Sequence, residues 1–239
     1  MITPILALHI AAGSIALAFM WIPMFAPKGA RLHRRSGWVF VTAMAVVSVT
    51  ALLLASARVI FDPRPEARDA GLFLLVVAVL TGTSVSSGVR VLRYKRRQGR
   101  QRGWWDLGLA VLLTTVSSGL AAYAMWRAQP LFMAFAALGI TNGIGELRYW
   151  LRSPSTPMHW WFQHMSGMLG GCVAAITAFL VNTSNNVGMW PLAAWLGPSL
   201  IGIPVIAVWT RYYKHRFSGA QQNFGIFDVS SGARSVICP

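Results

Sequence analysis

Apolar residues in this chain neither alternate with polar ones nor keep to one narrow stripe. They run on for twenty residues or more with few interruptions, at positions 4–26, 38–60, 71–92, 104–127, 130–151, 158–181 and 190–210. An α-helix needs about 20 such residues to cross the hydrocarbon core of a bilayer. Closed β-barrels also satisfy their backbone in lipid, but their signature is alternation over short segments. The pattern therefore predicts an all-α, polytopic transmembrane helix bundle of seven spans. The first run exceeds the ~7–15 residue core of a cleavable signal peptide and is read as a retained span. The seventh run carries Pro191, Pro198 and Pro204, which are expected to kink it. The membrane domain is expected to cover residues 1–217, followed by a Gly/Ser-containing, loosely ordered tail over 218–239.

Composition agrees. Only 11% of residues are charged and the mean hydropathy is +0.54, whereas a soluble domain carries about 25% charge to hydrate its surface. The net charge of +15 would point a soluble protein toward nucleic acid, but here the basic residues sit between apolar runs and no nucleic-acid-binding module is present. Lys28, Arg31, Arg34 and Arg35, the seven basic residues from Arg90 to Arg102, then Arg148, Arg152, Arg211, Lys214, Arg216 and Arg234 all fall at one end of the spans, seventeen in number. The other end has four, Arg58, Arg64, Arg68 and Arg127, with Asp62, Glu66 and Asp69 beside them. Positive-inside bias predicts a cytoplasmic C-terminus, an N-terminus outside, and residence in a bacterial inner membrane. The partners implied are the lipid bilayer and, for an accessory protein, other subunits of a membrane complex. Cys172 and Cys238 are expected far apart and free.

Chemistry is sought among ionisable groups in the spans, because each costs about 2.5–3.5 kcal/mol at mid-helix unless it faces protein. His9, Asp106, Glu146 and His164 qualify, with His33 and His159 close by. His164, Gly167 and Gly171 share one helical face whose small residues admit a neighbouring helix. Gly139, Asn142, Gly143 and Glu146 form a similar face. Glu146 and His164 each lie roughly 9 Å below the basic boundary, at 1.5 Å per residue, so a carboxylate–imidazole contact is geometrically open. His33, read as part of a basic loop, and Asp106 lie on the same side. The four residues His33, Glu146, His164 and Asp106 are the candidate metal set, with zinc or iron as the cofactor, and they equally suit proton-coupled transfer or hydrolysis of a membrane substrate. His159 and His164 are five apart and diverge around the helix. His9 lies near the opposite boundary, separated in depth from His164 by roughly 13 Å, so these two cannot share one haem, and haem-based electron transfer stands as the weaker alternative. Against all of these stands a purely structural role as polar contacts between helices. No lysine sits midway along the last span, which excludes a retinal protein.

The segments Leu8-His9-Ile10-Ala-Ala-Gly13, Lys28-Gly29, His33-Arg-Arg-Ser-Gly37-Trp-Val-Phe40, Ser87-Gly88-Val-Arg90-Val-Leu92 and His164-Met-Ser-Gly-Met-Leu-Gly-Gly-Cys-Val-Ala-Ala-Ile-Thr177-Ala-Phe179-Leu-Val-Asn182 resemble a family of bacterial multi-span membrane proteins of unknown function. The resemblance implies a seven- or eight-helix membrane fold, with His9, His33 and His164 at the family's histidine positions. Glu146 stands where many relatives carry Asp. No activity is implied.

Overall fold

A computed structural model of the chain describes residues 2–100, 102–156, 158–184, 186 and 188–230. These residues are helical and contain no strand, in the order α1 (Ile2–Phe19), α2 (Trp21–Phe25), α3 (Arg31–Phe61), α4 (Pro65–Arg90), α5 (Trp104–Trp126), α6 (Pro130–Leu151), α7 (His159–Thr183) and α8 (Pro191–Ser230). Among the described residues seven helical segments are long and apolar enough to cross a membrane, with α1 and α2 together making the first. The span count is the one the hydrophobic runs predict.

Three boundaries differ from the sequence pattern. The first span is interrupted at Met20, because Pro23 has no N–H to give the Phe19 carbonyl; Met20 itself keeps helical dihedrals (φ −63°, ψ −29°). The helix of the second span starts at Arg31, so His33 lies in a helical first turn and not in a loop. Nothing from Arg31 to Ser36 breaks a helix, although three arginines at an N-terminus oppose the helix dipole. At the other extreme α8 runs on through Pro198 and Pro204 and past residue 217 to Ser230. Residues 231–239, the rest of the expected tail, lie outside the described residues, and Cys238 with them.

Packing explains how the apolar surface is divided. α4 is the hub, touching α3, α5, α6 and α7, while α8 rests mainly on α7. One core cluster, with Ala16, Met20, Phe40, Met44, Val85 and Cys172, fills the bundle toward its basic end. A second, with Phe73, Val76, Leu120, Phe132 and Phe135, fills the far end. Leu53, Val111, Leu200, Ile201 and Val208 remain exposed on the flanks, a disposition that suits acyl chains and would be an aggregation hazard in water. Trp104, Trp126 and Trp190 are exposed at helix ends, where an indole meets the headgroup layer.

Glycines set the closest approach. A Cβ on Gly167 would lie 2.6 Å from the Ser84 carbonyl oxygen and 2.9 Å from the Gly88 Cα, and one on Gly171 would lie 2.9 Å from a Val85 methyl. The face of α7 that carries His164, Gly167 and Gly171 therefore seats on α4, as the small-residue spacing predicts.

Candidate functional site

The polar residues of the basic end fall into separate groups. Glu146 of α6 is buried. Its Oε2 accepts from the Ser87 hydroxyl of α4 at 2.6 Å and from the Trp150 indole N–H at 3.2 Å, and its Oε1 accepts from the Gln163 amide of α7 at 2.6 Å. Three donors from three helices thus occupy both oxygens. Asp106, at the start of α5, accepts a forked pair from Arg90 at 2.5 and 2.8 Å. Arg90 ends α4, so this ion pair closes the α4–α5 connection at its base.

Arg97 plays a capping part that counting charges does not show. Its guanidinium donates to the carbonyls of Tyr149 (2.9 Å), Trp150 (3.2 Å) and Arg152 (3.2 Å) at the end of α6, where unpaired carbonyls and the negative dipole end favour a cation. It also lies 4.6 Å from the Tyr149 ring centroid. The Tyr149 hydroxyl meets His159 Nδ1 at 2.7 Å, tying α6 to α7.

His164 and His33 form the third group. His164 Nδ1 donates to the Gly88 carbonyl at 2.7 Å, and His33 Nδ1 donates to the Pro23 carbonyl at 3.0 Å. A carbonyl oxygen only accepts, so each ring must carry its proton on Nδ1. In the neutral imidazole Nε2 then holds the lone pair, and no hydrogen bond to either Nε2 is present among the described residues. The two ring centroids are 6.5 Å apart with planes inclined at 67°. Lys28 caps α2 by donating to Pro23 and Met24, and burial pulls its ammonium below the ordinary lysine range. Lys28 and Lys95 both lie within electrostatic range of His164.

The structure therefore brings His33 and His164 together and places Glu146 and Asp106 in other contacts. Among the described residues no group of three or more His, Cys, Asp or Glu side chains is placed to hold a metal ion. The carboxylates expected as ligands are engaged by other partners, Glu146 by Ser87, Trp150 and Gln163 and Asp106 by Arg90. The anticipated Glu146–His164 contact is replaced by one between Glu146 and Gln163, the residue before His164. His9 lies apart, donating from Nδ1 to the Thr50 hydroxyl at 2.9 Å; the Thr50 hydrogen is committed to the Val46 carbonyl at 2.7 Å. His9 is a polar tie between α1 and α3.

Sequence reasoning missed Ser87, Gln163, Arg90 and Arg97. One signal was present: Arg90 and Asp106 flank the same short connection at equal depth. The fold and the exposed apolar flanks define an α-helical, multi-pass membrane protein. Comparison with family models, with curated proteins and with solved structures returned no match.

Proposed function

We propose that this protein is a haem-binding, electron-transferring protein of the bacterial inner membrane, in which His33 and His164 would hold one iron porphyrin near the cytoplasmic face. The observation that carries the reading is the histidine pair. Hydrogen-bonding Nδ1–H to a fixed carbonyl is the arrangement that orients an imidazole for metal binding through Nε2. The two ring centroids stand 6.5 Å apart with planes inclined at 67°, a closeness at which both imidazoles could serve one metal centre.

Ligand number selects the centre. Zinc and non-haem iron sites draw three or four ligands from protein, and the nearby carboxylates are engaged elsewhere. An iron porphyrin brings four nitrogens of its own and would draw only two ligands from the protein, which His33 and His164 would provide. Lys28 and Lys95 would repel a bare cation but match the carboxylates of the porphyrin edge. The depth argument against haem holds for His9 with His164 and does not touch His33. Held by two imidazoles, such a group would supply one-electron transfer. The seventeen-to-four distribution of basic residues supports a cytoplasmic basic end.

The test is to purify the full chain in mild detergent, supply haem, and record visible spectra before and after reduction alongside metal analysis. We expect a Soret band, sharp bands on reduction and one iron per chain. His33→Ala and His164→Ala should each lower haem retention at least about tenfold, and His9→Ala should retain it. A chain that stays colourless and takes up no haem refutes the reading.

A further inference from the structure

The face of α6 predicted to turn inward with Gly139, Asn142, Gly143 and Glu146 divides in the fold. Gly139, Gly143 and Glu146 are buried, whereas Asn142 is exposed on the flank of the bundle. Within α6, which runs from Pro130 to Leu151, Asn142 stands roughly 18 Å from the first end and roughly 14 Å from the second at 1.5 Å per residue. That is close to the middle of a hydrocarbon core about 30 Å thick. The two other side-chain amides within the spans are bonded, Gln163 to Glu146 at 2.6 Å and Asn182 to the Ala178 carbonyl at 2.7 Å. Among the described residues the Asn142 carboxamide has no hydrogen bond.

Acyl chains offer neither donor nor acceptor, so an amide bare at this depth is costly until another protein group meets it. The surface around it permits a close approach. Ala134, Ala137, Thr141 and Gly145 follow one another at three- and four-residue steps beside Asn142, and a Cβ on Gly145 would meet nothing within 4 Å. On the other side of the same helix the equivalent space is filled, since a Cβ on Gly139 or Gly143 would run into Ser117 or Thr114 of α5. The chemistry of the amide selects its own kind as partner. It carries two N–H donors and a carbonyl acceptor, so two such groups facing each other satisfy both. Two copies inserted with one topology are related by a two-fold axis along the membrane normal, which preserves depth and sets a residue beside the axis against its own copy. Arg148 lies in the last turn of α6, at the headgroup layer, where salt screens the two like charges.

We infer that α6 carries a homodimer contact within the membrane, in which the Asn142 amides of two copies hydrogen-bond to each other at mid-depth and Thr141 and Gly145 let the helices approach. The contact requires neither the histidine pair nor haem.

Energy transfer between full-length copies carrying a donor or an acceptor dye at Cys238, with Cys172 buried, measures association in phosphatidylethanolamine–phosphatidylglycerol vesicles as lipid is added. Transfer that saturates with the protein-to-lipid ratio and fits a dimer is expected. Asn142→Leu should weaken the association about threefold to thirtyfold, the range that interhelical polar contacts span, while Asn142→Gln, which keeps donors and acceptor, should retain it. Leucine suits a lipid-facing flank, so Asn142→Leu should keep the helicity and melting of the parent in detergent, which separates lost association from lost folding. Asn182→Leu removes an amide that closes on its own helix and should dimerise as the parent does. Transfer no greater than random proximity in the bilayer at every dilution, or an Asn142→Leu chain that dimerises as tightly as the parent, overturns the inference.

Discussion

Glu146 shows how an ionisable residue is kept within the bundle. Its carboxylate accepts from Ser87, Trp150 and Gln163, so the side chain ties α4, α6 and α7 at one point. Removing it takes away the acceptor that Ser87, Trp150 and Gln163 share, leaving only the bond from the Gln163 amide to the Ser87 hydroxyl at 3.3 Å. Glu146→Ala is expected to cost on the order of 3 kcal/mol, against about 1 for Glu146→Gln, which keeps one acceptor; denaturation midpoints in detergent measure both. A contrasting acid sits in the α3–α4 turn, where hydrogen bonds from the Arg64 side chain and backbone hold the Asp62 carboxyl down to about 2. A depressed carboxylate stabilises the turn above its ordinary value of 3.8 and loses that contribution as pH falls through the window from about 4 to about 2. Asp62→Asn should therefore remove an acid-limb component from the pH–stability profile. If the Asn variant keeps the same acid limb, another group is responsible. The candidate status of Glu146 was legible in the sequence, because a charge inside a long apolar run is conspicuous. Its partners were not, because Ser87 and Gln163 are unremarkable alone and their meeting depends on helix rotation.

Helix α7 shows the same division one level up. The spacing of His164, Gly167 and Gly171 marks a face that packs on protein, and that face does seat on α4 at Ser84, Val85 and Gly88. Which helix it meets was not legible, since any neighbour with small residues answers the spacing equally well. The contact also positions the candidate site, because the Gly88 carbonyl that orients His164 lies in this seam. Gly167→Ala drives a methyl against the Ser84 carbonyl and the Gly88 Cα and should destabilise the fold by about 1–3 kcal/mol. The same change at Gly108 or Gly119, where a Cβ meets nothing within 4 Å, should leave the melting temperature near that of the parent. Equal effects at all three positions would count against a tight α4–α7 seam. The early start of α3 belongs at this scale too. Its first turn, anchored by the bond from His33 to Pro23, converts an apparent loop histidine into one held at a fixed angle opposite His164.

For the whole molecule, the seven spans place the arginine-rich connections at one end and the α3–α4 turn, where acids and arginines are nearly balanced, at the other. In a Cys238→Ser background, Gln98→Cys should resist a membrane-impermeant maleimide in intact cells, while Pro63→Cys should react readily. The reverse pattern would invert the arrangement and move the histidine pair to the external face. Cys172 is buried and contributes little labelling. The chain alone was enough to determine the number of spans, their approximate limits and the segregation of charge, because hydropathy and charge are local properties that add along a segment whatever its neighbours are. Only the tertiary structure decided that His33 faces His164, that Glu146 closes on Ser87 and Gln163, and that Phe73, Phe132 and Trp195 pack together at the far end. Seven apolar helices of similar length can be rotated and permuted with little change in their contact with lipid. The choice among those arrangements rests on close glycine contacts and a few buried hydrogen bonds, and these exist only once the helices have met.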